Sequence, residues 1–238
     1  MTVSDDEILV GLEDTGQPVR FATGDDASVP APWRPIIEAD EAARRAEIAR
    51  SLWNGDMFEL LPDFARMLRE ELADVRVVLV GNEPMLAYAV EHRYADDRTV
   101  SLWIGTTPGT DAATESDGGG AELVSAIPAP VRTFQSEVHR RFTAPDLESY
   151  GFRPVVEMTT LVDEWGLGSA DLPDWEHAPQ PRRLLVLLTT YSELRVCVSP
   201  DLPDGMAVAV YRSDPPDPVR PVGESLDEEL VNRLVEGG

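Results

Sequence analysis

The alternation of apolar and polar positions divides the chain into helical and extended stretches. Between Ile127 and Phe142, the residues Val131, Phe134, Val138 and Phe142 recur every three or four positions, while Arg132, Gln135, Glu137, Arg140 and Arg141 stand between them. That spacing predicts a helix with one buried face. Pro128 and Pro130 precede the stripe, where a helix tolerates proline because its first N–H groups have no intrahelical partner, so the helix is predicted to begin near Pro130. A closing helix answers it near the C-terminus. Ser225 with Glu228 has the spacing of a capping box, and Leu226, Leu230, Val231 and Leu234 form its apolar stripe.

The remaining pattern is read in chain order. Residues 7–12 and 19–22 flank Glu13-Asp14-Thr15-Gly16 and predict a short hairpin, and proline-rich residues 23–35 predict a loop. Residues 38–53 turn to Ala, Glu and Arg, with Ala42, Ala46, Ala49, Leu52 and Trp53 at helical spacing; a second helix follows Pro62, carrying Phe64, Met67, Leu68 and Leu72. Residues 75–81 are rich in β-branched residues, residues 86–94 alternate in a way that favours a strand over the competing helix, and residues 99–105 alternate likewise. Together they predict an antiparallel meander behind two helices. Residues 107–120 offer almost nothing apolar to bury and read as a flexible linker. Beyond the long helix, residues 143–181 have little period. Residues 183–190, 194–198 and 207–212 predict three further strands before the closing helix. The expected architecture is α+β: a unit over residues 1–106, a linker over 107–120 and a second unit over 121–238. Residues 61–72 can be laid on 127–138 with Pro, Arg and Glu at matched places, so an internal duplication stands beside simple convergence of helix starts.

Composition narrows the partners. The 238 residues carry a net charge of −24, and every one of the 20 positive charges is arginine. Such a surface opposes binding to nucleic-acid phosphate or an anionic membrane and leaves a basic protein open as a partner. The charge is spread along the chain, the usual mark of a solvated surface, and a lysine-free composition also fits a GC-rich genome or a high-salt host. The single Cys197 allows no intrachain disulfide, no signal-peptide pattern opens the chain, and the longest apolar run, around Leu184 to Leu188, is too short to span a bilayer. A cytoplasmic location is expected.

No residue pattern specifies a cofactor, a metal or a catalytic constellation. The glycines at 118–120 lack the Lys-Ser/Thr of a phosphate loop, and none of the histidines, His92, His139 and His177, stands in a zinc motif. His139 is expected to be solvated on the polar face of its helix and His92 half-buried on a strand. Cys197 falls in an apolar strand, and Gly223-Glu224-Ser225-Leu226-Asp227 departs from a serine-nucleophile elbow at its last position. The densest polar cluster is Asp171-Leu172-Pro173-Asp174-Trp175-Glu176-His177. Its carboxylates and imidazole could hold a divalent metal or act as an acid and base, and its plainest reading is an exposed acidic loop anchored by tryptophan. An exposed tryptophan among carboxylates also suits docking of a basic protein, and Trp165, Asp171, Asp174, Trp175 and Glu176 are the residues expected to make that contact.

The second unit resembles the SUKH superfamily of α+β proteins. The resemblance is carried by Ile127-Pro128 leading into a helix with Phe134, Val138 and His139, by Tyr150-Gly151-Phe152, by the strands over 184–190, 194–198 and 207–211, and by the Ser225-Leu226 helix. Arg140-Arg141-Phe142-Thr143 stands where that family has a glycine-rich turn. The resemblance implies a non-enzymatic binding module, typically an immunity protein that neutralises a toxin, often a basic nuclease. A structural adaptor and an enzyme with a dispersed site remain alternatives. The enzyme would need the cluster at 171–177 to meet His139 or His92 in space.

Overall fold

The structure is a computed structural model and describes residues 3–94, 97–109, 120–167, 175, 178–212 and 214–236. Its spine is a run of ten antiparallel strands whose order in space follows their order in the chain. They are β1 (Val19–Phe21), β2 (Leu72–Val80), β3 (Glu83–Tyr94), β4 (Asp97–Thr106), β5 (Phe142–Thr143), β6 (Gly151–Phe152), β7 (Leu185–Thr189), β8 (Leu194–Val198), β9 (Met206–Tyr211) and β10 (Arg220–Pro221). Three long strands at one end and three shorter ones at the other are joined through β5 and β6, a waist of two-residue strands. The fold class is α+β. β2, β3, β4, β7, β8 and β9 fall where the apolar and β-branched stretches predict strands.

One face of the sheet carries most helices: α2 (Arg34–Glu38), α3 (Ala42–Ser51), α4 (Gly55–Leu60), α5 (Pro62–Glu70), α6 (Gly120–Ser125), α7 (Ala129–Glu137) and α9 (Val222–Glu236). Period-two alternation sends Leu86, Tyr88, Val90 and Trp103 to this face and Met85, Ala87, Ala89, Leu102 and Ile104 to the other. α1 (Asp5–Gly11) covers that second face with Ile8 and Leu12. At the other end α8 (Leu161–Trp165) covers Val186, Cys197, Val208 and Val210 in the same way.

The helical face holds one core drawn from both sides of the expected linker, of which residues 110–119 lie outside the described residues and Gly120 opens α6. Phe64 of α5, Phe134 of α7, Trp103 of β4, Phe152 of β6 and Leu187 of β7 belong to one contiguous cluster. Trp53 stands at its centre, 4.6 Å between ring centroids from Phe134 and 5.2 Å from Phe142. The stretches that align as a repeat bury matched positions: Leu61 with Ile127, Ala65 with Val131, Leu68 with Phe134 and Leu72 with Val138.

Several local expectations are corrected. Residues 7–12 form no strand, because Ser4 accepts the Glu7 N–H and the Glu7 carboxylate accepts the Ser4 N–H, a capping box that starts α1. The helix expected over residues 38–53 is broken at Ala39, which is extended, into α2 and α3, and α2 begins inside the expected loop. α7 stops at Glu137 and Phe142 joins β5: Val138 is the C-cap, the N–H groups of Val138 and His139 both donate to the Phe134 carbonyl, and the His139 side chain is buried. Ser225 caps nothing: α9 starts at Val222, whose N–H is taken by the Gly205 carbonyl, and leaves Ser225 buried within the helix.

Candidate functional site

The polar groups that look chemical in the sequence are largely consumed by the core. His139, expected in solvent, has no exposed surface. Its Nε2 lies 2.6 Å from the Tyr88 hydroxyl and its Nδ1 lies 2.9 Å from the Thr106 carbonyl. Trp53 Nε1 donates to the same hydroxyl at 3.3 Å. Burial lowers the imidazole from 6.5 to about 4 and raises the Tyr88 phenol, so both are held neutral. Gly105 is required beneath the ring, since a Cβ there would lie 2.5 Å from it. His92 pairs with Glu71 at 2.5 Å, and burial raises the Cys197 thiol, which suppresses its thiolate. No group of three His, Cys, Asp or Glu able to hold a metal occurs among the described residues.

Of the residues expected to make a docking contact, Asp171, Asp174 and Glu176 lie outside the described residues, as does His177 of the same cluster. Trp165 and Trp175 do not stand free. Both are half-buried and pack against the cluster of Leu161, Leu184 and Val186 behind the sheet. His139 sits on the opposite face, among Trp33, Phe134 and Phe142. The strands therefore stand between Trp175 and His139. Beside Trp165, Glu164 is clamped between Arg153 at 2.8 Å and Arg195 at 2.9 Å, which fixes α8 to the sheet.

Carboxylates also line a groove that sequence reasoning misses. α4 and α5 form one wall and α9 the other, enclosing about 600 Å³. Leu60, Pro62 and Val231 supply apolar lining, while Glu59 and Asp63 on one wall face Glu224 and Glu228 on the other. Arg220 is the only cation among the lining residues, and it is bound to Glu224 at 2.8 Å and Glu228 at 2.7 Å. Asp227 closes the floor. Its carboxylate accepts the N–H of Asp63 and of Phe64, each at 2.8 Å, and so caps α5 from a helix at the far end of the chain. Leu61, the residue before α5, has no polar side chain to serve as a cap, and Pro62 brings no N–H, so a remote carboxylate does the work. Burial raises the Asp227 carboxyl against the pull of those two N–H groups. Gly223 lets the walls meet, because a Cβ there would stand 2.6 Å from the Leu60 carbonyl oxygen.

The sequence signal for this arrangement is an aspartate and an arginine beside an apolar stripe. Asp227 follows Leu226, and Arg233 lies three residues beyond Leu230. Arg233 is 5% exposed, donates to the Leu102 carbonyl at 2.7 Å and stacks 4.1 Å from the centre of the Trp103 ring. No helix among the described residues is long and apolar enough to cross a membrane. No protein-family model, curated protein or solved structure matches this chain.

Proposed function

We propose that the chain is a non-enzymatic binding module for a basic protein, of the immunity kind that the resemblance of its second unit implies. The observation that carries this reading is the acidic groove between α4–α5 and α9, with carboxylates on both walls and apolar surface between them. A net charge of −24 draws a cationic partner from a distance. The apolar lining then offers contact area that survives once the charges have met. His139, Tyr88, Asp227 and Cys197 support a binding role over a reaction, because each is enclosed and engaged in holding the fold.

The test is a pull-down from the native host with the tagged chain at low and at high salt, with bound proteins identified by mass spectrometry. The expected result is one basic protein, lost as salt rises. That partner should bind Glu59→Gln/Glu228→Gln more slowly, with an association rate down by about 3–10-fold and little change in dissociation. Recovery of the chain alone at both salt concentrations would overturn the reading.

A further inference from the structure

We propose that the hydrogen-bonded series Trp53, Tyr88, His139, Thr106 is an acid-sensitive clasp joining the two sides of the chain, and that a proton taken up at His139 Nε2 opens it. Trp53 Nε1 can only donate, so it donates to the Tyr88 oxygen. The Thr106 carbonyl can only accept, so His139 Nδ1 carries the proton and donates to it. That leaves Nε2 bare, and the Tyr88 hydroxyl donates to it at 2.6 Å. Each group in the series has one donor matched to one acceptor, all running in one direction.

A second ring proton has no place in this arrangement. An N–H at Nε2 would meet the Tyr88 O–H donor head-on. If the hydroxyl turned away, its oxygen would face the Trp53 and His139 donors, and its own hydrogen would point into packed rings. The surroundings offer no relief. The groups facing the imidazole are Tyr88 from β3, Gly105 and the Thr106 carbonyl from β4, Trp33, Phe134 from α7 and Phe142 from β5. Of these only Tyr88 titrates, and none is a carboxylate. Arg141, two residues on, is directed to the Leu147 carbonyl and to Glu157. Burial accounts for the lowered imidazole, offset only by the Thr106 hydrogen bond.

The position of the series gives it a consequence for the whole chain. Trp53, Tyr88 and Thr106 precede residues 107–120, whereas His139 follows them, next to the point where β5 pairs with β4. The ring's folded value, about 4, lies below its ordinary 6.5, so the unfolded chain holds the extra proton between those values. The clasp is complete above about 6.5, and its stabilisation is lost as pH falls from there towards 4.

Long-range proton–nitrogen NMR on the full chain tests this directly. In the folded protein one histidine should be the Nδ1–H tautomer and should stay neutral until the protein unfolds in acid. Its assignment comes from the loss of that signal in His139→Gln, whose amide can accept from Tyr88 and donate to Thr106 without titrating. In denaturant titrations the unfolding constant of the parent relative to His139→Gln should rise by about tenfold per pH unit between about pH 6 and pH 5. If His139→Gln does not fold, the parent spectrum decides, with the assignment taken from backbone-linked ring correlations. An Nε2–H tautomer, a ring that titrates near 6.5 in the folded state, or the same pH dependence in His139→Gln would each overturn the proposal.

Discussion

At the scale of single residues, stability rests on a few polar side chains placed where an apolar one would suit the pattern better. Asp227 satisfies two N–H groups that α5 cannot satisfy from its own sequence. Asp227→Ala therefore leaves them without a partner at a largely buried helix end and should cost about 1–3 kcal/mol, read from urea unfolding. Cys197 should be inert to iodoacetamide in the native state and react only after unfolding, since burial both hides the sulfur and raises its thiol. Alkylation at the same rate in folded and denatured protein would contradict the enclosed position. These roles are poorly legible in the sequence. Periodicity marks Val131 and Phe134 as buried, but nothing in a one-dimensional pattern distinguishes a solvated His139 from one that finds an acceptor 33 residues away.

At the scale of elements, close approach decides which small residues matter. Gly223 meets the Leu60 carbonyl, so Gly223→Ala should destabilise by about 1–3 kcal/mol as α9 is pushed from α4. Gly55 opens α4 where an added Cβ would meet nothing within 4 Å, and Gly55→Ala should be neutral or stabilising by up to about 1 kcal/mol. Thermal unfolding of the pair separates a packing requirement from a mere preference for flexibility. The central strands are readable because each alternates over a face that is covered, and α5 and α7 because their apolar spacing is regular. α1 is misread because residues 7–12 are too short to show a period, and its capping box carries the information instead. α9 is misread at its start for the opposite reason: Ser225 and Glu228 have the right spacing, but the chain reaches the helix three residues earlier through the Gly205 carbonyl.

At the scale of the whole molecule, a continuous sheet and a shared aromatic cluster tie together segments that composition separates. Residues 1–106 and 121–238 expressed singly should each fail to fold, since each would expose aromatic rings that the other covers, and co-expression should recover the complex. Two well-dispersed NMR spectra from the isolated pieces would show instead that the cluster is dispensable. Charge acts at this scale too. Exposed pairs such as Arg44–Glu47 contribute little, while a net −24 repels itself throughout the surface. Added sodium chloride should therefore raise the urea midpoint, because screening weakens the repulsion more than it weakens isolated surface pairs.

The carboxylate of Asp227 also sets a timetable for synthesis. As the chain leaves the ribosome, β2, β3 and β4 can zip in the order they are made, each onto the strand before it. α5 precedes them, yet the group that caps it is translated 164 residues after Asp63. Until α9 emerges, the nascent protein carries a frayed α5 whose Asp63 and Phe64 N–H groups have no carboxylate to meet. A chain arrested before residue 222 should be a chaperone client, and release of the final fifteen-residue helix should end that association.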